Sequence, residues 1–118
     1  MAEVSLRSVA PILQVADLPR AIDFYTQTLG FELGWTGGTP PFIASVCRDN
    51  VEFNLRLEAR PTPSRVYIQV SGVDAYNQRI IAAGVAMIHS LEDRDYGMRD
   101  CTFADPDGNA IAIGEPLE

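Results

Sequence analysis

The residues that could do acid–base or nucleophilic chemistry are few, and each has an ordinary structural explanation. His89 is the only histidine. It is predicted to end a strand beside a polar loop, where a hydrogen-bonded surface imidazole is more common than a lone catalytic base. Neither Cys47 nor Cys101 neighbours an obvious base, so no activated thiol is indicated. Asp105 and Asp107 could form an acid–base pair, but turn chemistry accounts for both.

The segment that contains these two aspartates, residues 104–109, reads Ala-Asp-Pro-Asp-Gly-Asn. Its glycine tolerates positive φ and its proline pre-sets the first corner of a turn, so the segment predicts a tight hairpin between two short apolar runs. In the strand that leaves the turn, Ile111 and Ile113 share one face, and Ala112 points to the other.

Length and composition predict one soluble domain with enough apolar material for a core. The chain has 118 residues, of which 47% are hydrophobic and 21% charged. The net charge of -7 repels phosphates, which disfavours nucleic acid as a partner. No apolar run approaches the ~18 residues of a membrane span, and the N-terminus lacks the order of a secretion signal. We therefore expect a cytoplasmic protein with reduced, structural cysteines.

The first half of the chain is predicted to contain one helix and four strands. Asp17 is expected to cap the helix with Pro19 in its first turn, and Gly30 supplies the stop. The last strand alternates apolar with polar residues, so one of its faces is polar. The predicted strands are 9–15, 31–35, 42–47 and 51–58.

The second half repeats this order after a linker, residues 59–64, which contains two prolines. Asp74 is expected to cap the second helix and Gly84 to end it. Residues 90–97 are predicted to be a polar loop. The remaining predicted strands are 65–70, 85–89, 98–103 and the one that leaves the hairpin.

The two halves form an internal repeat that can be checked by counting. Val15 and Val70 close the first strand of each half and lie 55 positions apart, while Gly30 and Gly84 lie 54 apart. One such unit cannot cover both faces of its sheet, so two must pair. The sequence predicts an α+β fold of two βαβββ modules, 1–58 and 65–118, which form a concave cup with the helices outside.

Five phrases occur in order along the chain: Val15-Ala16-Asp17-Leu18, Phe24-Tyr25, Leu29-Gly30-Phe31, Ala82-Ala83-Gly84-Val85 and Asp105-Pro106-Asp107-Gly108-Asn109. Together they resemble the vicinal oxygen chelate superfamily. This superfamily includes glyoxalase I, extradiol dioxygenases, metal-dependent fosfomycin-inactivating transferases and the bleomycin resistance proteins. The resemblance spans nearly the whole chain and implies the fold predicted above; function is a separate matter.

The resemblance also implies where a divalent metal would be held, by side chains of the first and last strands of each half. These positions fall on Ala10 and Arg65 in the first strands and on Asn54 and Ala112 in the last ones. Two are methyl groups, one is a cation, and Asn54 offers at most one weak carbonyl oxygen. A register slip would bring in Glu52, but one carboxylate does not make a site. We therefore expect no metal and no cofactor.

A cup without a metal resembles the bleomycin resistance proteins, whose dimers enclose a drug in grooves between modules. Aromatic side chains would offer flat surfaces there and polar ones directional hydrogen bonds. Core packing is the alternative for the aromatics, and ion pairs with Glu52 or Glu58 are the alternative for the arginines. The expected ligand-binding residues are Trp35, Phe42, Asn54, Arg56, Arg65, Tyr67, Gln69, Tyr96, Met98 and Ala112.

The sequence therefore predicts a metal-independent homodimer that sequesters a drug and thereby confers antibiotic resistance. Bleomycin or another peptide or glycopeptide antibiotic with flat aromatic groups is the expected ligand, and the acidic surface would attract a cationic one. Two alternatives stay open. One is a metal-dependent glyoxalase, lyase or dioxygenase-type enzyme, and the other is an interaction module with a filled cup.

Overall fold

The computed structural model describes residues 3–118 and contains two four-stranded sheets of identical topology. The strand orders are β1-β4-β3-β2 and β5-β8-β7-β6; the first pair in each sheet is parallel and the others are antiparallel. The predicted α+β fold of two βαβββ modules is confirmed. The first module contains β1 (Ile12–Val15), α1 (Leu18–Asp23) with a π-helical continuation (Phe24–Thr28), β2 (Glu32–Gly37), β3 (Ile43–Arg48) and β4 (Val51–Leu57). The second contains β5 (Arg65–Gln69), α2 (Val73–Ala82), β6 (Met87–Asp93), β7 (Met98–Ala104) and β8 (Ala110–Pro116).

The apolar face of each sheet packs against the helix of its own module. Alternation along the strands places Leu13, Val15 and Leu55 in the core of the first module, and Ile111 and Ile113 in that of the second. No helix within residues 3–118 covers the opposite face of either sheet. Neither helix among residues 3–118 has the length and apolarity that a membrane crossing needs.

The start of α1 agrees with the prediction from its capping residue. Asp17 has extended backbone dihedrals, and its side chain accepts a hydrogen bond from the amide of Arg20 at 2.9 Å. Gly30 follows the helical segment with a φ of 78°, a left-handed conformation that glycine adopts without a steric penalty.

The predicted cap of α2 is wrong. Asp74 lies inside the first turn, and the N-cap is Gly72, with a φ of 83° and no side chain to offer. Glu115 takes the capping role from β8, because its carboxylate accepts from the amides of Gly72 and Val73 at 3.1 and 3.2 Å. The second helix is therefore capped by a residue distant in the sequence.

Two strand boundaries differ from the prediction by three residues or more. The strand expected over 9–15 begins at Ile12, because the residues before it have no strand partner within the described chain. The loop expected over 90–97 is shorter, because β6 continues to Asp93 by pairing with β7 through two irregularities. His89, which was expected to end its strand, instead lies inside β6.

The predicted hairpin between β7 and β8 is confirmed, and it also joins the two modules. The buried Asp105 carboxylate accepts from the amides of Asp107 and Asn109, and from the hydroxyl of the buried Tyr25 in the first module at 2.8 Å. Burial, followed by the charge of Asp105, raises the pKa of Tyr25 well above its ordinary value, so this hydroxyl is a permanent donor. Asp107 accepts in turn from the guanidinium of Arg20 at 2.9 Å.

A second junction between the modules lies at the C-terminal end of the first helical segment. Its last carbonyls accept from the Arg48 guanidinium, from the Tyr76 hydroxyl and from the Arg79 guanidinium. Cationic donors at this C-terminal end also interact favourably with the helix dipole. A cavity of about 640 Å³ adjoins these three side chains, between the β3–β4 turn and α2.

Candidate ligand-binding faces

Face A is the side of the first sheet that is turned away from α1. The strand register places Ser45 beside Asn54, Asn54 beside Ile12, and Trp35 beside Ser45. Ser45 donates to the Glu52 carboxylate at 2.6 Å, so Glu52 lies on this face without any register slip. The side chains of face A are Ile12, Gln14, Glu32, Trp35, Ile43, Ser45, Cys47, Glu52, Asn54 and Arg56.

Face B is the corresponding side of the second sheet, turned away from α2. On it Tyr67 lies beside Ala112, and Ala112 beside Thr102. The centre of the face is lined with small residues, because there β8 contributes only Ala110, Ala112 and Gly114. The side chains of face B are Arg65, Tyr67, Gln69, His89, Glu92, Met98, Asp100, Thr102, Ala110, Ala112 and Pro116, together with Gly114.

The four predicted aromatic residues are not part of the core. Trp35, Phe42, Tyr67 and Tyr96 are 47%, 44%, 49% and 63% exposed, respectively. The core contains a different aromatic cluster, built on the stacked rings of Phe31 and Phe53. The alternative of core packing is therefore wrong for all four.

Two of the predicted residues, Phe42 and Arg56, lie together near one end of β4. The guanidinium of Arg56 lies 5.4 Å from the ring centroid of Phe42, a cation–π distance. Arg56 also forms an ion pair with Glu58 at 3.4 Å, which was the alternative interpretation of this arginine. The two residues are neighbours at the end of β4 and not partners on different strands. Farther along β4, the side-chain oxygen of Asn54 is buried and has no hydrogen-bond partner in the part of the chain that the structure describes.

Face B brings Tyr67 and Tyr96 together through a residue that the sequence analysis missed. Both hydroxyls donate to Oδ2 of Asp100, at 2.9 and 2.5 Å, and Arg94 donates to Oδ1 at 2.8 Å. Burial alone would raise the pKa of the Asp100 carboxyl, but these donors outweigh it and hold the pKa below its usual value. Burial, and then Asp100, raise the pKa of Tyr67 to about 12. The signal that could have found Asp100 is the alternation of β7, which places it on the same face as Met98.

The other predicted residues are more dispersed. Arg65 and Gln69 are exposed, and Met98 and Ala112 are half-buried on face B. Gln69 is the last residue of β5 and lines the cavity between the β3–β4 turn and α2. None of the ion pairs within residues 3–118 includes Arg65.

The residues at the positions of a superfamily metal do not fit a divalent cation. By strand register, the side chains beside Asn54 and Ala112 are Ile12 and Tyr67, and Ala10 stands before β1 begins. Ile12 offers an alkyl group and Ala112 a methyl group, Asn54 offers an amide, and the phenol of Tyr67 is kept neutral by its raised pKa. All four groups are poor ligands for such an ion. Over residues 3–118, no group of three or more histidine, cysteine or acidic side chains is placed to hold a metal.

The comparisons with known proteins agree with this fold. A family model described as the Glyoxalase/Bleomycin resistance protein/Dioxygenase superfamily matches residues 6–113. An uncharacterised protein of Mycobacterium bovis is 30% identical over 93% of this chain and 84% of its own length. The crystal structure of TioX from Micromonospora sp. ML1 superposes with a TM-score of 0.85 at 23% identity, covering 94% of this chain and 99% of that one.

A further similar structure is that of an antibiotic-binding protein. TnmS3, an antibiotic binding protein from Streptomyces sp. CB03234, superposes with a TM-score of 0.75 at 25% identity, covering 96% of this chain and 99% of that one. The family model covers most of the chain, and both modules are complete. The chain belongs to the glyoxalase/bleomycin resistance protein/dioxygenase superfamily.

Proposed function

We propose that this protein is a metal-independent, cytoplasmic homodimer that sequesters a peptide or glycopeptide antibiotic bearing flat aromatic groups, and so confers resistance to it. The observation that carries the proposal is the pair of open sheet faces, on which Trp35, Phe42, Tyr67 and Tyr96 expose their rings. Exposed rings held by a rigid sheet offer a large contact area with little conformational entropy to lose.

The polar groups beside these rings support a ligand that also forms hydrogen bonds. The Asn54 oxygen on face A has no partner among the described residues, and a buried acceptor of this kind is costly until a donor reaches it. Arg65 on face B is exposed and enters no ion pair within residues 3–118. A donor group on the ligand would satisfy the Asn54 oxygen, and a carbonyl group on the ligand would accept a hydrogen bond from Arg65.

The charge of the chain favours a cationic ligand. The net charge is -7. Asp93 is the last residue of β6, and Asp95 lies in the following loop, directly before Tyr96. Long-range attraction by such a surface raises the association rate of a cation and weakens with salt. Metal independence is supported by the poor donors at the register positions described above.

A second copy of this chain is the partner that best explains the shape of one copy. The radius of gyration is 15.3 Å, whereas a compact domain of this length should have one of about 13.5 Å. Val4, Leu6 and Val9, before β1, are almost fully exposed and have no covering partner within residues 3–118. Face A of one chain placed opposite face B of another would enclose a groove between rings of both faces, and the apolar N-terminal residues would be covered at the same interface.

The test is calorimetric titration of the purified protein with bleomycin and with a peptide antibiotic that carries a planar aromatic group. We expect saturable binding to at least one of them, and about a tenfold loss of affinity for Trp35→Ala, because a ring contributes roughly 0.5–1.5 kcal/mol beyond its buried area. Ile81→Ala is the matched control, since Ile81 is a similarly exposed apolar residue on α2.

Two further measurements separate this proposal from the enzyme alternative and test the dimer. Elemental analysis should find no stoichiometric zinc, nickel, iron or manganese, and analytical ultracentrifugation should give twice the mass of the 12.9 kDa chain. Absence of binding to both antibiotics, or one bound metal ion per chain, would overturn the proposed function.

A further inference from the structure

We propose that Asp100 is a positioning residue of face B, whose buried carboxylate fixes the rings of Tyr67 and Tyr96 as one rigid aromatic pair that contacts the ligand. The inference rests on the proposed function for the ligand contact, but the positioning itself is a property of the free protein. It also narrows the ligand class, because it determines which groups the tyrosines can offer.

The carboxylate binds the two tyrosines from different parts of the module. Tyr67 belongs to β5 and Tyr96 to the loop between β6 and β7, and both hydroxyls donate to the same oxygen, Oδ2. The Asp100 side chain is only 6% exposed, although both tyrosine rings are largely exposed. A buried acceptor therefore anchors the polar ends of two rings whose flat surfaces remain accessible.

Gly114 provides the space that this arrangement needs. It lies on β8 between Gln69 of β5 and Asp100 of β7, and Tyr67 crosses over it to reach the carboxylate. A Cβ built on Gly114 would overlap the hydroxyl of Tyr67 and lie 3.0 Å from the Cβ of Asp100. The absence of a side chain at this position is therefore a condition of the Tyr67–Asp100 hydrogen bond.

Arg94 fixes the other side of the carboxylate. Its Nε donates to Oδ1 of Asp100 at 2.8 Å, and its Nη2 donates to the carbonyl oxygens of Ser90 and Asp100 at 2.7 and 3.2 Å. The guanidinium thus ties the loop that carries Tyr96 to β6 and β7. Charge-assisted hydrogen bonds of this kind are stronger than neutral ones, so the acceptor is held in place as well as the donors.

The arrangement restricts what the two tyrosines can do for a ligand. Both hydroxyl protons are committed to Asp100, so neither Tyr67 nor Tyr96 is free to donate a hydrogen bond. What the pair presents is ring surface, which binds a flat aromatic group or a cation rather than a carbonyl or a carboxylate. Because the rings are held before binding, less side-chain entropy is lost when the ligand arrives.

The decisive variant is the double substitution Tyr67→Phe with Tyr96→Phe, which keeps both rings and removes both anchors. The matched control is Tyr76→Phe, which removes a hydroxyl hydrogen bond at the module junction instead. With bleomycin or the aromatic peptide antibiotic as the titrant, we expect the double variant to bind about tenfold more weakly and the control to bind like the wild type. Asp100→Asn, which keeps one acceptor oxygen, should fall between the wild type and Asp100→Ala.

Ring dynamics in the free protein test the positioning without any ligand. With ¹³C-labelled aromatic rings, the NMR signals of residues 67 and 96 should show restricted ring motion in the wild type. Motion should be fast in the double phenylalanine variant, and for residue 67 also in Gly114→Ala. Equally restricted rings in all of these proteins, or an unchanged affinity of the double variant, would overturn the inference. If the wild type binds neither antibiotic, the proposed function fails, while the ring-motion data still decide the positioning role.

Discussion

The substitution Asp105→Ala should destabilise the protein more than the removal of any exposed carboxylate, because this side chain joins the hairpin to the other module. Its two oxygens accept four hydrogen bonds: from the hydroxyl of Tyr25 at 2.8 Å, the side-chain amide of Asn109 at 2.8 Å, and the main-chain amides of Asp107 and Asn109 at 2.9 and 2.8 Å. Tyr25 and Asn109 are fully buried, and Asp105 is nearly so.

The magnitude follows from the donors that the alanine would leave without a partner. The side-chain amide of Asn109 keeps a second acceptor, the carbonyl of Gln14 at 3.1 Å, but within residues 3–118 the Tyr25 hydroxyl has no other acceptor. Each buried donor left unpaired costs about 1–3 kcal/mol. Because entering water can satisfy part of the site, we expect a total loss of about 3–5 kcal/mol, or a decrease in Tm of about 12–20 °C.

Urea unfolding, followed by circular dichroism at one protein concentration, is the appropriate assay, since the stability of the proposed dimer would depend on concentration. Tyr25→Phe should cost about 1–2 kcal/mol, because Asp105 then keeps its other donors. In the double variant the tyrosine hydroxyl is no longer left unpaired, so the combined loss should be about 1 kcal/mol smaller than the sum of the two. Asp23→Ala, an exposed carboxylate on α1, should change the stability by less than about 0.5 kcal/mol. A loss below about 1 kcal/mol for Asp105→Ala would refute the reasoning.

Three smaller predictions concern other described residues. Glu115→Ala should cost about 1 kcal/mol in urea unfolding, because the first amides of α2 lose their acceptor; a neutral result would contradict the capping role. Burial raises the pKa of the Cys101 thiol to about 11, so iodoacetamide at pH 8 should label the half-buried Cys47 in the native protein and leave Cys101 unlabelled, which mass spectrometry would detect. The pKa of Tyr67 is raised from 10.0 to about 12. The neutral hydroxyl therefore stabilises the folded state fully below the unfolded-state pKa of 10.0, and this contribution is lost as the pH rises toward the folded-state pKa of about 12. Stability should therefore decline between these two pH values, and less steeply in Tyr67→Phe.

The fold could be predicted from the sequence because its determinants are local. Asp17 caps a helix three residues away from its donor, and Gly30 ends it with a positive φ. The hairpin before β8 forms from six consecutive residues, and strict alternation in β4 and β8 separates the core face from the open face. Repetition of the same signals in both halves then fixed the topology.

What could not be predicted depends on contacts between distant residues. Glu115 caps α2 across 42 and 43 positions of sequence, and nothing near Asp74 shows that its place in the cap is taken. The extension of β6 to Asp93 depends on pairing with β7 through two irregularities, which a polar sequence does not reveal. Tyr96 lies in the predicted loop, but nothing near it in the sequence shows that its hydroxyl donates to Asp100 of β7.

The small residues of β8 relate the poor fit of these positions for a metal ion to the candidate ligand-binding face. Ala112 stands where the superfamily resemblance implies a metal ligand, and Gly114 is two residues farther along the same face. A carboxylate or imidazole in β8 would fill the space over the strand, whereas a methyl group and a hydrogen leave it open for Tyr67 to reach Asp100. The features that make these positions poor for a cation therefore make room for an anchored aromatic ring, and one short strand accounts for both properties.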